Sequence, residues 1–391
     1  MMTEIDARQR LKFLVGGVSL LALGSCSGGG GGSSPTPTPT STSTPIDYEP
    51  TSGLLRNTYR NNFKIGSAAL TPQIDANDPI VDLLKSQFNS MMAEYEMKAD
   101  VISPSEGVYD FSAGDKLVAF AEANGFELHG HTLLWHSSTP DYFFLGSKDE
   151  IKTKLQNYVT EVVTHFKGKV HSWHVVNEVV SDSASETTAP YRNSDWYQAV
   201  GSAEYIDWAF EAAHAADPDA LLFINEYNTE FEDKRGRLIE IVEDLLDRNI
   251  PIHGVGHQCH LDYRDAASSV LSAIDAVDDL FAGLVNHITE MDMSVYGDPG
   301  SCWQNETGCD ADFGANVPAE RLKLQAQIFR DLFNGLILRP SVENVSFWGV
   351  SDAHSWLNER PTERTNYPLL FDRNYKAKPA FRAITDSNYV I

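Results

Sequence analysis

The sequence predicts an α/β fold, a closed (β/α)8 TIM barrel, and three observations carry that expectation. From about Phe63 onward, short apolar or β-branched runs alternate with longer amphipathic ones. Eight strand-then-helix units can be read in this way. Polar and charged residues gather late in the strand candidates, at the rim where such barrels keep their chemistry. An open doubly wound sheet is the competing architecture, but no glycine-rich phosphate loop follows the first strand.

The strand candidates, in order, are Phe63–Ala68, Ser90–Tyr95, Glu127–Trp135, Ser172–Val179, Leu221–Tyr227, Gly254–Leu261, Asn286–Met293 and Val345–Ser351. Helices are expected between them. Lys152–Phe166 puts Leu155, Val159, Val162, Val163 and Phe166 on one face, and Arg237–Leu246 does the same with Leu238, Ile241 and Leu245. Arg321–Leu332 repeats the pattern with Leu322, Leu324, Ile328 and Leu332. With 42% hydrophobic and 10% aromatic residues in a chain of 391, the composition supports a sizeable core.

The segment before the barrel has another character. Arg8, Arg10 and Lys12 precede the apolar run Phe13–Leu23, which is too short to span a bilayer and suits a signal peptide. It ends in Leu23-Gly24-Ser25-Cys26, which resembles the lipobox of bacterial lipoproteins. That resemblance implies cleavage before Cys26 and lipidation of its thiol. With Ser27 next, it implies export to the outer membrane or cell surface. A glycine run from Gly28 to Gly32, then a Pro/Thr/Ser run to Pro45, cannot bury a core and reads as a disordered tether. Cys302 and Cys309 share a Gly/Asn/Asp-rich loop and are expected to pair in an exported protein. Cys259 lies in an apolar strand pattern and reads as a buried free thiol; no spacing of the C-x-x-C type suggests a metal.

The formal net charge of -25 argues against a nucleic-acid partner, whose phosphates it would repel. An uncharged polymer meets no such barrier. Late in the strands stand Glu94, then His131, Trp135 and His136, then Asn177 and Glu178, and then Asn225, Glu226 and Asn228. Gln258, His260, Glu290, Asp292, Trp348 and Asp352 complete the set. Buried polar groups cost stability unless paired, so one of them alone reads as a satisfied core group. Seven strands loaded at the same end read as one shared cleft.

Within that cleft two carboxyls matter. Strands four and seven lie nearly opposite each other in an eight-stranded barrel, so Glu178 and Glu290 can face one another across a sugar. Either alone could be a rim salt bridge. As a pair they suit glycoside hydrolysis, in which one carboxyl protonates the leaving oxygen and the other attacks. The acid/base is expected to have a raised pKa and the nucleophile a normal or lowered one. His260 is expected to hydrogen-bond Glu290, Asp292 to fix that histidine, and Asn177 to donate to the 2-hydroxyl of the reacting sugar.

The ordered motifs are Gly130-His131-Thr132-Leu133-Leu134-Trp135-His136, Val175-Val176-Asn177-Glu178, Gly254-Val255-Gly256-His257-Gln258-Cys259-His260-Leu261, Ile288-Thr289-Glu290-Met291-Asp292 and Phe347-Trp348-Gly349-Val350-Ser351-Asp352. Ser355-Trp356, Leu370-Phe371-Asp372 and Lys378-Pro379-Ala380 follow. From about Phe63 to Phe381 the chain resembles glycoside hydrolase family 10 endo-β-1,4-xylanases. The resemblance implies Glu178 as acid/base and Glu290 as nucleophile of a retaining enzyme acting on xylan or xylo-oligosaccharides. It implies that Glu94 and Lys98 hold the second sugar on the non-reducing side. It further implies that His131, Trp135 and Asn177 surround the reacting sugar, that Gln258 and His260 partner the nucleophile, and that Trp348 and Trp356 form an aromatic wall. No metal or organic cofactor is required, and a monomer is expected. The expected divisions are residues 1–25 as lipoprotein signal peptide, 26–50 as linker and 51–391 as the catalytic domain.

The sequence also departs from the family pattern. Tyr95 stands where an asparagine is usual, His174 where an aspartate precedes Val-Val-Asn-Glu, and Glu226 where an aspartate is usual. Ser138 replaces a glutamine and Ala99 an aromatic residue. These changes bear on glycone affinity and suggest a preference for decorated xylan or short xylo-oligosaccharides. Three other readings compete: a cellulase or mannanase on the same barrel, an inverting enzyme with more distant carboxyls, and a surface glycan-binding lipoprotein without catalysis.

Overall fold

The computed structural model describes residues 54–391 apart from position 77; the expected leader, Cys26 and the linker lie outside the described residues. Eight parallel strands form the barrel: β1 Lys64–Ala69, β2 Ser90–Ala93, β3 Glu127–Gly130, β4 Ser172–Asn177, β5 Leu221–Glu226, β6 Gly254–His257, β7 Val285–Ser294 and β8 Val342–Phe347. Each pairs with the next, and β8 pairs both with β7 (Ile288 opposite Val345) and with β1 (Ile65 opposite Val345), which closes the ring. The open sheet is thereby excluded.

A principal helix follows every strand: α1 Ile80–Gln87, α2 Ser112–Asn124, α3 Lys148–His165, α4 Glu204–Ala216, α5 Glu232–Asp247, α6 Ala267–Leu280, α7 Ala319–Leu336 and α8 Pro379–Thr385. Those read from the sequence run longer than their apolar stripes. For α3 the reason is a capping box: Ser147 Oγ accepts from the Glu150 N–H while the Glu150 carboxylate accepts from the Ser147 N–H. Between strands and helices the core is apolar, with Trp173, Trp196, Phe166 and Phe210 fully buried. Each such side chain contributes roughly 1.5–3 kcal/mol.

Two predicted strands are broken. Strand three was expected to run to Trp135, but β3 stops at Gly130 and only Leu134–Trp135 rejoins β4. The His174 carbonyl explains the gap, because it accepts from both the Leu133 N–H (3.1 Å) and the Thr132 hydroxyl (2.7 Å). Strand six stops at His257, and His260–Asp262 pairs again with β7. The break falls at Cys259, whose φ of 57° is left-handed. Strand four likewise ends at Asn177, because Glu178 adopts φ 59°.

The lower barrel interior is more polar than its strand patterns suggested. His129 on β3 meets His287 on β7 with ring centroids 5.3 Å apart, a contact that must cross the interior because the two strands are not neighbours. His287 stacks on Phe223 at 4.2 Å, and His129 bonds the Ser172 hydroxyl at 2.7 Å. Burial holds His129, His174 and His287 far below the usual histidine pKa, so they pack as neutral rings. On the opposite, helix-facing side of the same strands, Gly130 makes room for Trp173, which packs on Phe166: a Cβ at Gly130 would lie 2.2 Å from the Trp173 ring.

Candidate active site

The rim residues converge. Glu178 follows β4, and its left-handed backbone is held by an N–H bond to the Asn225 carbonyl at 2.9 Å. One oxygen of its carboxylate accepts from Trp135 Nε1 at 2.7 Å, the other from Gln258 Nε2 at 3.3 Å. Glu290 lies within β7 and is 4% exposed. It accepts from Asn225 Nδ2 at 2.7 Å and from His260 Nε2 at 3.2 Å.

A chain of amides joins the two acids. Gln258 Nε2 also donates to Asn177 Oδ1 at 3.2 Å, and Asn225 Nδ2 donates to that same oxygen at 2.7 Å. Thr289 Oγ1 donates to Asn225 Oδ1 at 2.7 Å and fixes which way that amide faces. Asn225 was singled out in the sequence only as a rim polar group. Its contact with Glu290 becomes visible only when β5 and β7 are seen in place.

His260 bonds Asp292 through Nδ1 at 3.1 Å, and Asp292 accepts from Trp356 Nε1 at 2.7 Å. Burial lowers the His260 pKa, but the charge and hydrogen bond of Asp292, then those of Glu290, outweigh it and push it up to about 10. His260 is therefore an imidazolium between two carboxylates. Glu178 runs opposite to expectation. Burial raises its pKa, but His136, Arg192 and the donors Trp135 and Gln258 hold it below the usual carboxylate range. Burial drops His136 itself to about 4, so above that pH its ring is neutral and its pull on Glu178 fades. Arg192 donates from Nε to the Glu178 carbonyl at 2.6 Å and forks onto Asp182, so its charge is shared.

An aromatic wall stands beside the acids. Lys98 Nζ sits 4.6 Å from the Trp135 ring and 5.9 Å from that of Trp348. Trp348 meets His131 edge-on at 5.1 Å, and Trp356 meets His260 at 5.0 Å. Trp303, not anticipated from the sequence, adds an exposed ring 5.8 Å from Trp356. The Cys302–Cys309 disulfide anchors its loop, and Cys259 is a buried free thiol. Glu94 is half-buried just after β2, its N–H donating to the Ala69 carbonyl.

The departures at positions 95 and 138 converge on one side chain. The Tyr95 hydroxyl donates to Asp100 Oδ2 at 2.6 Å, and the Ser138 hydroxyl bonds Asp100 Oδ1. Among the described residues, His131, His174 and Glu290 bring three potential metal-ligand atoms together, as do Asp298, Cys302 and Cys309. The second group has its sulfurs bonded to each other. The first faces the positive charges of Lys98 and His260, which oppose a cation.

The profile described as "Glycosyl hydrolase family 10" matches residues 54–387. The chain belongs to this family. Similar to it is a "Beta-1,4-xylanase" of Dictyoglomus thermophilum, 41% identical over 84% of this chain and 89% of the relative. Among solved structures, xylanase B from Clostridium stercorarium F9 superposes with a TM-score of 0.78 at 39% identity, covering 85% of this chain and 99% of that one. A glutamate-to-alanine mutant solved in complex with xylotriose has a TM-score of 0.77 at 32% identity, covering 85% and 99% of the two chains.

Proposed function

We infer that this family 10 protein is a retaining endo-1,4-β-xylanase that hydrolyses internal β-1,4-xylosidic bonds of xylan. The observation that carries the roles of its two acids is their unequal surroundings. Glu290 is hydrogen-bonded by a cationic histidine and an amide, a setting for a fixed anion, and we assign it as nucleophile. Glu178 has only neutral donors on its carboxylate and is more exposed, a setting for a group that must give and regain a proton.

In the first step Glu290 attacks the anomeric carbon, the glycosidic bond breaks, and the departing oxygen takes the Glu178 proton. Sugar binding displaces water from Glu178 and raises its pKa toward the acid form that this step needs. Ester formation removes the Glu290 charge. The Glu178 pKa then falls, and it can take a proton from the incoming water that breaks the ester. Asn177 spends its carbonyl oxygen on Gln258 and Asn225, which leaves its NH2 end to bind the sugar 2-hydroxyl. Lys98 and Glu94 hold the neighbouring sugar, His131 and Trp135 the reacting one, and Trp348 and Trp356 stack on apolar pyranose faces.

Incubation with glucuronoxylan and arabinoxylan tests this. Xylo-oligosaccharides of several lengths are expected early in the reaction, with retained anomeric configuration. Binding to xylan without release of reducing ends would overturn the reading in favour of a glycan-binding protein.

The leader motif supports a further part of the proposal. The chain is exported as a monomer and held through lipidated Cys26 on the outer membrane or cell surface, with the Gly/Ser/Pro/Thr tether giving reach toward a bulky polymer. Cys26→Ser should release the activity from the membrane fraction. Retention of that variant in membranes would count against lipid anchoring.

A further inference from the structure

His174, fully buried on β4, lies directly beneath His131, with the two Nδ1 atoms 2.9 Å apart and the rings at 88°. Burial keeps both rings neutral. A bond between two Nδ1 atoms needs one donor and one acceptor, so the two rings must be opposite tautomers. The far side of His174 decides which is which. Its Nε2 is buried and has no hydrogen-bond partner. If His131 donated, His174 would carry its proton on that Nε2, leaving a buried N–H with no acceptor. If His174 donates from Nδ1, only a lone pair is left unpaired, which is the less costly defect. Glu290 Oε1, 3.9 Å from His131 Nδ1, is beyond hydrogen-bond reach, and its weak pull toward a proton on that atom is outweighed by the cost of a buried His174 N–H without an acceptor.

We propose that His174 is a positioning residue that fixes His131 as a neutral ring protonated on Nε2, so that His131 acts as a hydrogen-bond donor to the sugar. This rests on the reading of the cleft as the site of the reacting sugar. A carboxylate at position 174 could only accept. It would draw the His131 proton to Nδ1, and Nε2 would then carry a proton only while the ring was an imidazolium. The residue at position 174 therefore sets the polarity of His131 from beneath, without touching substrate. The titratable and charged groups facing His131 are His174 on β4, Lys98 after β2, His260 after β6 and Glu290 on β7.

Neutron diffraction from deuterium-exchanged crystals reads the protons directly. Deuterium on His174 Nδ1 and His131 Nε2 is expected; deuterium on His131 Nδ1 and His174 Nε2 would overturn the proposal. This measurement needs no variant and does not depend on the substrate being xylan. A second test compares His174→Asn, whose amide can still donate to His131, with His174→Asp, which cannot. In His174→Asp, kcat/KM on xylotriose should show an added loss on the order of 10-fold as pH rises through the new His131 ionisation. That loss should be missing from His174→Asn and from the unmutated enzyme. Parallel pH profiles for the two variants would also overturn the proposal.

Discussion

The β4 and β7 sides of the cleft each present one glutamate, and they hold it differently. Glu290 is nearly inaccessible and paired with the His260 imidazolium, itself clamped by Asp292 and Trp356. Glu178 is half-exposed on a left-handed turn, with an indole and an amide as donors. The contrast supports the assignment of two tasks to one residue type on one barrel rim. A charged donor fixes an anion in place, whereas neutral donors orient a carboxyl without binding it to one protonation state.

The largest test removes each acid in turn. Glu178→Ala and Glu290→Ala should each lower kcat/KM on xylan by on the order of 10⁴-fold or more. An aryl xylobioside with a strongly acidic phenol separates them. Its departure needs no proton, so the first step should recover in Glu178→Ala and stay lost in Glu290→Ala. Equal recovery in both variants would erase the distinction.

Next in size is His260→Gln, which trades the charged donor for a neutral one. A kcat loss of roughly 30-fold or more is expected, since breaking a buried charge pair costs about 2–5 kcal/mol. A stability signature should accompany it. Because the folded His260 pKa of about 10 exceeds the ordinary 6.5, its stabilisation is complete below about 6.5 and is lost as pH rises through about 10. The difference in Tm between the unmutated protein and the variant should therefore be widest near pH 6 and narrow toward pH 10. A difference that does not change with pH would show that His260 is not the charged partner.

Trp135→Phe acts on the other side. It deletes a donor to the Glu178 carboxylate, which raises the pKa of that acid and moves the alkaline limb of kcat/KM to higher pH. The activity loss should be about 10-fold, the lower end of the worth of one hydrogen bond to a charged group. The smallest effect is expected from Tyr95→Asn, which frees one acceptor of Asp100 and restores an amide near Lys98. A KM decrease of roughly 2- to 5-fold on xylotetraose, with kcat little changed, would place Tyr95 on the binding side of the comparison. An unchanged product profile on undecorated and decorated xylan would remove the basis for a substrate preference arising from this position.

The correction at Glu178 shows where sequence reasoning stops. A raised pKa was the expectation for an acid/base, and burial does push it up, yet His136, Arg192 and the Trp135 and Gln258 donors reverse the sign. Those groups come from three other parts of the chain, and their distances to one carboxylate exist only after folding. The breaks in strands three and six have the same origin. One is made by the His174 carbonyl on the neighbouring strand, the other by the left-handed backbone of Cys259 between Gln258 and His260.

What the sequence determined by itself was the alternation of strand and helix, the loading of polar residues at one end of the strands, and the motifs that mark the family. These are local properties: side-chain period, capping residues and short spacings follow from covalent geometry and from neighbours a few positions away. Only the tertiary structure decided that Asn225 ties Asn177 to Glu290, that Tyr95 and Ser138 turn to Asp100, and that His174 pairs with His131. Folding brings these groups from several strand ends into one low-dielectric rim. There a proton's position depends on which partners lie within hydrogen-bond reach, and no period in the sequence encodes that.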